Sequence, residues 1–482
     1  MLYDVAIIGA GASGAATARE LSRYRLKTIL LESAHEVCAG VSKANSGIVH
    51  AGFHHSPGTL KSRLEMRGNF LFDKLCAELH FPYLRCGILT AAYSAEEMET
   101  VKSLYQRGLA NGVRDMELCG RERMLELEGK LCSNVVGGLF APHSGTVEPY
   151  NYVFSLVESS CLNGVHLLCD FKVVSGRYSD GHWEITSDKG DVITALRVVN
   201  AAGLSADEVS RAFGAEDFTI TARKGEEYLL DRTSPARPSH IIFPVPAKNS
   251  KGVLIIPTAG GTTMIGPTAE MTEDKYDTEN TSAHLTEILS LVKKMVCGIN
   301  PRDIITSFAG NRPTLPGDDF YIAPSGKVPS FIQAAGIQSP GLTASPAIGE
   351  YIAELLRQSG LEMVEKDDFI PCLPEKYELR NSDKEKMNLL HGQNPAYTNI
   401  VCRCEKISEA EIIEAVKRGH TTVDGVKFYT RAGMGRCQGG FCGAKILKII
   451  SRESGIPVEE LEKRGSCDRM LAGKIGDFEV KL

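Results

Sequence analysis

The sequence has no large excess of charge of either sign and no long apolar run. Its 482 residues include 54 Lys and Arg and 60 Asp and Glu, a formal charge of −6, with the two signs interleaved throughout. A nucleic-acid-binding chain is expected to show a basic face, so that class is excluded. No run approaches the roughly 20 apolar residues of a spanning helix, and no basic segment precedes the first strand as in a signal peptide. We therefore expect a cytoplasmic protein without a transmembrane segment.

The composition also excludes disordered, fibrous and coiled-coil chains. Hydrophobic residues make up 43% and charged residues 24% of the chain, the usual mixture of globular domains. Fourteen cysteines are more than average, but a disulfide scaffold is the wrong class for a long chain without a signal peptide. We expect most of nine scattered cysteines to be small buried hydrophobes: Cys38, Cys76, Cys86, Cys119, Cys132, Cys161, Cys169, Cys297 and Cys372.

A dinucleotide-binding motif begins the chain. The apolar run Val5-Ala6-Ile7-Ile8 predicts a buried parallel strand, followed by three glycines in a G-x-G-x-x-G pattern and a helix of small residues. The glycines suit a tight turn, a close approach of backbone to a pyrophosphate, and close helix–strand packing. A second strand, Lys27 to Leu31, ends at Glu32, which is placed to accept hydrogen bonds from a ribose. The pattern serves both NAD and FAD, and its candidate cofactor-binding residues are Gly9, Gly11, Ala12, Ser13, Gly14, Glu32 and Ser33.

Four further segments resemble, in order, the D-amino-acid-oxidase-like flavoprotein superfamily: residues 42–55, 138–149, 198–203 and 335–346. Within it, they are most similar to FAD-dependent glycerol-3-phosphate dehydrogenases and L-2-hydroxyglutarate oxidases. The resemblance covers about residues 1–360 and implies FAD as the cofactor. The N-terminus of the apolar helix expected over 347–356 would stabilise negative charge on a reduced flavin. The further candidate cofactor-binding residues are Asn45, Ser46, Gly47, Val173, Ala202, Gly203, Gly310, Gly341, Leu342 and Thr343.

Substrate binding is assigned to a region inserted between the nucleotide-binding segments. Strand-like stretches alternate through residues 216–325 and predict a mostly antiparallel sheet, while residues 94–127 predict helices. Arg312 is our first candidate for anchoring an anion, because a guanidinium holds a carboxylate or phosphate with two hydrogen bonds and the family has an arginine in the matching Gly-x-Arg-Pro segment. Lys224 is the second candidate. A structural ion pair remains the alternative for each.

Oxidation of an alcohol needs a base for the hydroxyl proton, and histidine has a suitable pKa. His50, His54 and His55 follow Asn45-Ser46-Gly47, a loop that the family places beside the flavin ring. We favour His50 as a catalytic or flavin-contacting residue and His54 next. A histidine packed against backbone is the alternative for each.

Four cysteines form a second pattern near the C-terminus. Cys402 and Cys404 are separated by one residue, 32 residues follow, and Cys437 and Cys442 are separated by four. Four thiolates in two pairs can bind zinc or a [2Fe-2S] cluster, and C-x-C is less typical of zinc. Four ordinary thiols without a metal are the third alternative. The segment 398–452 resembles the bacterioferritin-associated-ferredoxin-like [2Fe-2S] domain. Cys467 lies outside the pattern and is expected to be an ordinary thiol.

The predicted fold class is α/β, with a Rossmann-type FAD-binding domain, an inserted antiparallel-sheet substrate domain and a small helical [2Fe-2S] domain. The predicted FAD-binding segments are 1–90, 142–215 and 328–360, and the substrate segments are 91–141 and 216–327. A loop-like linker over 361–397, the [2Fe-2S] domain at 398–452 and a tail at 453–482 follow.

The expected activity is oxidation of a small anionic secondary alcohol, with glycerol 3-phosphate as the leading substrate. A flavin with a one-electron centre suggests export of electrons to a partner, and the resemblance implies a second flavoprotein subunit or another acceptor. Peripheral membrane association through partners stays open. The alternatives are a 2-hydroxy acid such as L-2-hydroxyglutarate, an amine or amino acid, or an electron-transfer subunit without substrate chemistry.

Overall fold

The computed structural model describes residues 1–246, 252–328, 330–465 and 467–473. The chain forms two compact units, one of residues 1–33 with 37–373 and one of residues 34–36 with 374–482. No helix within the described residues is both long and apolar enough to cross a membrane. The domain limits given above stay a prediction.

The larger unit contains two large sheets and the helices that pack on them. Its strands are β1 Leu2–Ile8, β2 Thr28–Leu31, β3 Ile48–Val49, β4 Tyr83–Leu84, β5 Ile88–Ala92, β6 Glu117–Gly120, β7 Gly137–Ala141, β8 Gly145–Val147, β9 His166–Leu168, β10 Val173–Ser179, β11 His182–Ser187, β12 Val192–Asn200, β13 Thr221–Leu230, β14 Ile241–Pro244, β15 Leu254–Pro257, β16 Thr263–Gly266, β17 Glu270–Thr272, β18 Ile304–Thr314, β19 Tyr321–Pro324 and β20 Phe331–Ala335. Its helices are α1 Ala12–Leu21, α2 Leu60–Leu79, α3 Ala95–Ala110, α4 Arg121–Leu127, α5 Pro149–Leu162, α6 Ala206–Ala212, α7 Ser282–Val292 and α8 Gly341–Gln358.

The first sheet has the strand order β10-β11-β12-β1-β2-β9, with β20 beside β12 and β19 beside β20. β1 pairs in parallel with β2 and β12, as the continuous apolar run of β1 predicts. Helix α1 packs on α8 and α5. This contact is close, since a Cβ at Gly349 would lie 2.7 Å from the carbonyl oxygen of Ala16. The predicted Rossmann-type domain is confirmed.

The second sheet has the order β17-β13-β16-β15-β14-β5-β7-β6, with β18 also pairing β13. Its pairings are antiparallel except for β14 with β5. The β13–β18 pair is in register from Thr221 opposite Thr314 to Leu230 opposite Ile304, with one irregularity after Leu229. The predicted inserted antiparallel sheet is confirmed.

In the smaller unit, the described residues form two short strands and four α-helices. They are β21 Ile400–Cys402 and β22 Ile407–Ser408, with α9 Lys384–Gln393, α10 Glu409–Lys417, α11 Val423–Thr430 and α12 Gly443–Ser454. Ser408 and Glu411 form the predicted capping box at the start of α10. In the tail, Val458–Glu460 forms one 3-10 turn, and residues 474–482 lie outside the described part.

Two local expectations about helices were wrong. The stretch predicted as a loop-like linker over 361–397 contains α9, which was missed because it has no apolar stripe: Leu390 is its one buried residue. The helix expected over 347–356 begins six residues earlier, at Gly341, although Pro346 lacks an N–H. Ser345 Oγ donates to the Leu342 carbonyl at 2.8 Å, which compensates for that missing donor.

The scattered cysteines are also mostly not buried. Of the nine, Cys38 and Cys119 are buried, and the other seven are partly or fully exposed. Two of these lie together, with Cys132 Sγ 3.4 Å from Cys297 Sγ. The small size of cysteine suits the edges of elements as well as their cores.

Candidate functional site

The turn between β1 and α1 has space only for glycine at two positions. Gly9 has φ +102°, and a Cβ there would lie 2.5 Å from the carbonyl oxygen of Ala201. A Cβ at Gly14 would lie 1.8 Å from the Gly9 carbonyl oxygen. This tight turn directs the N-terminus of α1 at the end of the sheet, where the helix dipole favours an anion. The turn therefore fits the pyrophosphate of a dinucleotide.

The predicted acid at the end of β2 is held against this turn. Glu32 Oε2 accepts a hydrogen bond from Ala10 N at 2.8 Å, and Oε1 accepts one from Ser33 Oγ at 3.1 Å. Ala12 N donates to Ser42 Oγ at 2.8 Å. Ser13 lies in the first turn of α1, where its carbonyl accepts from Thr17. All seven residues predicted from the motif therefore lie at one end of the first sheet.

The predicted residues after β12 lie beside the same turn. A Cβ at Gly9 would lie 3.1 Å from Ala202 Cα, and Gly203 follows with φ +59°. Val173 is farther away in the sheet, because it begins β10, which is separated from β12 by β11. It packs against the core cluster of the first sheet.

The loop of residues 45–50 is bound to the first turn of α8. Thr343 Oγ1 accepts from His50 N at 3.0 Å and donates to the Ile48 carbonyl at 3.1 Å. Gly47 N donates to Asn45 Oδ1 at 2.7 Å. The loop predicted to contact the flavin ring and the helix N-terminus formed by Gly341, Leu342 and Thr343 are therefore adjacent.

The two candidate histidines have different surroundings. His50 is buried, and its Nε2 lies 3.3 Å from Ser339 Oγ, directly before the α8 N-terminus. The His54 ring packs on Phe53 and Phe243, with centroids 4.2 and 5.1 Å away. His55 pairs with the buried Glu65 at 2.8 Å. His50 is therefore the histidine adjacent to the helix N-terminus, which favours it over His54.

Arg312 lies on β18, opposite Arg223 on β13. Its Nη1 is 3.4 Å from the Thr268 carbonyl oxygen and 3.5 Å from that of Arg223. It forms no ion pair with any residue that the structure describes. Burial lowers the pKa of Arg312, nearby Glu227 raises it, and Arg223 lowers it. The geometry leaves this half-buried guanidinium available for an external anion.

Lys224 points away from Arg312, because successive side chains of a strand alternate between faces. Its Nζ binds Asp277 Oδ2 at 2.6 Å and the Glu279 carbonyl at 2.9 Å. The structural alternative therefore accounts for Lys224. Sequence reasoning passed over its neighbour Arg223, whose place on the face of Arg312 follows from the register of β13 and β18.

Glu227 is a second residue that sequence reasoning missed. It is 3% exposed, and its Oε1 accepts a hydrogen bond from Ser46 Oγ at 2.6 Å. Burial raises the pKa of Glu227 to about 7, against the lowering effects of Ser46 and Arg312. It lies on the same face of β13 as Arg223, because every second side chain of a strand lies on the same side. The alternation Arg223, Gly225, Glu227 was the available signal.

Two glycines lie between these charged residues. A Cβ at Gly225 would be 2.6 Å from Arg312 Nη2, and one at the opposite Gly310 would be 2.1 Å from the Ala44 carbonyl oxygen. The absence of side chains lets Arg312 and the 44–46 loop approach the sheet. The predicted residues Asn45, Ser46 and Gly310 therefore meet at the face that carries Arg312.

In the smaller unit, the four grouped cysteines form two pairs. Cys404 Sγ lies 3.6 Å from Cys437 Sγ, and Cys402 is hydrogen-bonded to Cys442. The Cys442 hydrogen bond, together with N–H groups of Gly433 and Glu405, lowers the pKa of Cys402 to about 6 despite burial. Backbone N–H groups of Phe441 and Gly439 also lower the pKa of Cys437.

This arrangement provides the four thiolates that a [2Fe-2S] cluster requires. No three His, Cys, Asp or Glu side chains in the described residues converge as ligands for a single metal. A [2Fe-2S] cluster requires two thiolates for each iron, and N–H groups near the sulfurs would stabilise its charge. Cys467 is exposed and takes no part in the two pairs.

Together, these features define a flavin-dependent oxidoreductase with an iron–sulfur domain. The profile of the FAD dependent oxidoreductase family matches residues 4–355, and that of the BFD-like [2Fe-2S] binding domain matches residues 400–452. The chain belongs to the FAD dependent oxidoreductase family. FAD and a [2Fe-2S] cluster are its cofactors, as predicted.

Comparison with individual proteins gives three informative similarities. A glycerol 3-phosphate dehydrogenase of Caloramator mitchellensis is 39% identical over 98% of both chains. The structure of dithionite-reduced L-alpha-glycerophosphate oxidase from Mycoplasma pneumoniae with FAD bound has a TM-score of 0.75 and 29% identity, covering 78% of this chain and 100% of that one. A mitochondrial L-2-hydroxyglutarate dehydrogenase of Arabidopsis thaliana is 26% identical over 73% of this chain and 82% of its own.

Proposed function

We propose that this enzyme oxidises sn-glycerol 3-phosphate to dihydroxyacetone phosphate and passes the electrons through its flavin and [2Fe-2S] cluster to a partner. The observation that carries this proposal is the guanidinium of Arg312, which lacks an ion-pair partner in the described residues and lies opposite Arg223. Two arginines on one sheet face suit the two negative charges of a phosphate monoester. The glycerol 3-phosphate relatives support the same substrate.

In this proposal, Arg312 holds the phosphate and the His50 imidazole takes the proton from the C2 hydroxyl. His50 suits this role because Ser339 orients its ring and Thr343 fixes its backbone. His54 is the second candidate for the base. When bound, FAD would supply the hydride acceptor for the substrate carbon.

The first turn of α8 stabilises negative charge in this proposal. The N–H groups of Leu342 and Thr343 have no partner among the described residues, whereas Gly341 N donates to the Gln338 carbonyl; the positive end of the helix dipole lies at this turn. Negative charge that develops there during the reaction is stabilised without any movement of the protein.

Electrons would leave through the smaller unit. We propose that Cys402, Cys404, Cys437 and Cys442 hold the [2Fe-2S] cluster and that a second flavoprotein subunit or another electron carrier accepts its electrons. Cys404 is exposed and Cys437 partly exposed, which supports an exit on that side of the cluster. The proposed location is the cytoplasm.

The second candidate substrate is L-2-hydroxyglutarate. The segment from Asn45 to Gly52 is similar to the corresponding enzymes, and one such relative covers 73% of this chain. Anaerobic turnover with an artificial dye acceptor separates the candidates. We expect the highest kcat/KM with glycerol 3-phosphate; turnover of the hydroxy acid, an amino acid or no tested substrate instead would overturn the proposal.

A further inference from the structure

We propose that Glu227 binds the terminal hydroxyl of the substrate and so makes the site selective for a polyol phosphate over a dicarboxylate. This inference rests on the proposed function and names the residue that recognises the end of the substrate opposite the phosphate.

The placement of Glu227 follows from the register of β13 and β18. Residues directly opposite in an antiparallel pair share a face, and every second residue of a strand lies on that face. Arg223 is opposite Arg312, Gly225 is opposite Gly310, and Glu227 is opposite Phe308. The two cations and the carboxyl group therefore lie on one face, separated by a pair of glycines.

The glycine pair makes room between the charges. A side chain at Gly225 would collide with Arg312 Nη2, at 2.6 Å. Across the strand, Gly310 allows the carbonyl of Ala44 to approach, and Ser46 of the same loop donates to Glu227. The loop predicted to contact the flavin thus lies against the face of β13 and β18 that carries Arg312 and Glu227.

One oxygen of Glu227 is left for a ligand. Oε1 is occupied by Ser46, whereas Oε2 is buried and has no hydrogen-bond partner among the residues that the structure describes. A buried polar atom without a partner is costly, so such atoms are usually satisfied by a ligand or water. A hydroxyl suits this oxygen, because it donates to a carboxylate and accepts from a carboxylic acid.

Oε2 of Glu227 also disfavours a substrate that has a carboxylate at this end. Glycerol 3-phosphate has a neutral hydroxyl at the end opposite its phosphate, whereas 2-hydroxyglutarate has a second carboxylate there. A substrate carboxylate beside ionised, buried Glu227 would add like charge. Glu227 therefore provides the repulsive element against dicarboxylates, and the arginines provide the attractive one for phosphate.

The first test uses the wild-type holoenzyme and two phosphates. Propane-1,2-diol 1-phosphate has the phosphate and secondary alcohol of glycerol 3-phosphate but lacks the terminal hydroxyl. We expect kcat/KM for glycerol 3-phosphate to exceed that for the deoxy analogue by about 10- to 150-fold. Equal values would refute the role of Glu227, and this comparison needs no variant to fold.

The second test repeats the comparison in variants. Glu227→Leu should lose the preference for glycerol 3-phosphate while keeping its rate with the deoxy analogue within about threefold, and it should raise relative turnover of L-2-hydroxyglutarate. Glu227→Gln can still donate and accept, so it should retain most of the preference. Equal losses on both phosphates in Glu227→Leu would show a merely structural role and overturn the inference.

Glu226→Gln is the matched control. Glu226 is the neighbouring buried carboxylate on the opposite face, where it accepts from Thr281 N and faces His284 Nδ1 at 2.8 Å. Its substitution should lower stability without changing the ratio between the two phosphates. If the wild type fails to oxidise glycerol 3-phosphate at all, the proposed function itself is wrong, which the wild-type assay shows separately.

Discussion

The variant Arg312→Met should lose activity with glycerol 3-phosphate without losing thermal stability. Arg312 forms no ion pair with a described residue and only a longer-range attraction to Glu227, so its removal breaks no ion pair and relieves the cost of a half-buried charge. We therefore expect the melting temperature to stay the same or rise. Loss of a charge-assisted anchor should cost about 1.5–3 kcal/mol in transition-state binding, roughly a 10- to 150-fold fall in kcat/KM for glycerol 3-phosphate.

Lys224→Met provides the contrast for this prediction. Lys224 is buried on the opposite face and binds Asp277 Oδ2 at 2.6 Å, so removing it should lower the melting temperature and leave kcat/KM nearly unchanged. Thermal denaturation and steady-state kinetics with a dye acceptor measure both quantities. A destabilised Arg312→Met variant with normal kinetics would assign Arg312 a structural role and refute our account of the anion site.

Three further predictions concern the cofactors and pH. Gly14→Val should abolish flavin binding, measured by release of FAD on denaturation, and retain iron; normal flavin content would contradict the close contact with Gly9. Cys437→Ser should lose the visible iron–sulfur absorption but keep FAD, and an intact spectrum would reject this ligand. Burial raises the pKa of Glu227 from 4.5 to about 7. Between these pH values the native state keeps the Glu227 proton, whereas the unfolded state loses it. The contribution of Glu227 to stability therefore declines as the pH rises. The free energy of unfolding of Glu227→Gln relative to wild type should therefore increase by about 3 kcal/mol between pH 4 and 8 in denaturant titrations, whereas a constant difference would contradict the raised pKa.

Local patterns predicted the parts of the molecule that depend on neighbours in sequence. The turn at Gly9 and Gly14 and the cap at Ser408 each involve residues a few positions apart, so their chemistry was visible in the sequence. The start of α8 was missed because Pro346 normally marks a helix beginning, and the compensating Ser345 hydrogen bond depends on side-chain geometry.

The substrate face depended on strand register, which the sequence does not specify. Arg312 was predicted through family resemblance, but the neighbour it faces follows from the pairing of β13 with β18. That pairing places Arg223 and Glu227 beside it and turns Lys224 away. The four cysteines were predicted by spacing, whereas their division into two pairs required the fold.

The most direct test of the central claim is anaerobic addition of glycerol 3-phosphate to the purified protein that contains FAD and iron. Our account predicts that the flavin and iron–sulfur absorption both decrease and that dihydroxyacetone phosphate forms in proportion. An unchanged spectrum with glycerol 3-phosphate, in a sample whose flavin and cluster are both reduced by dithionite, would contradict it.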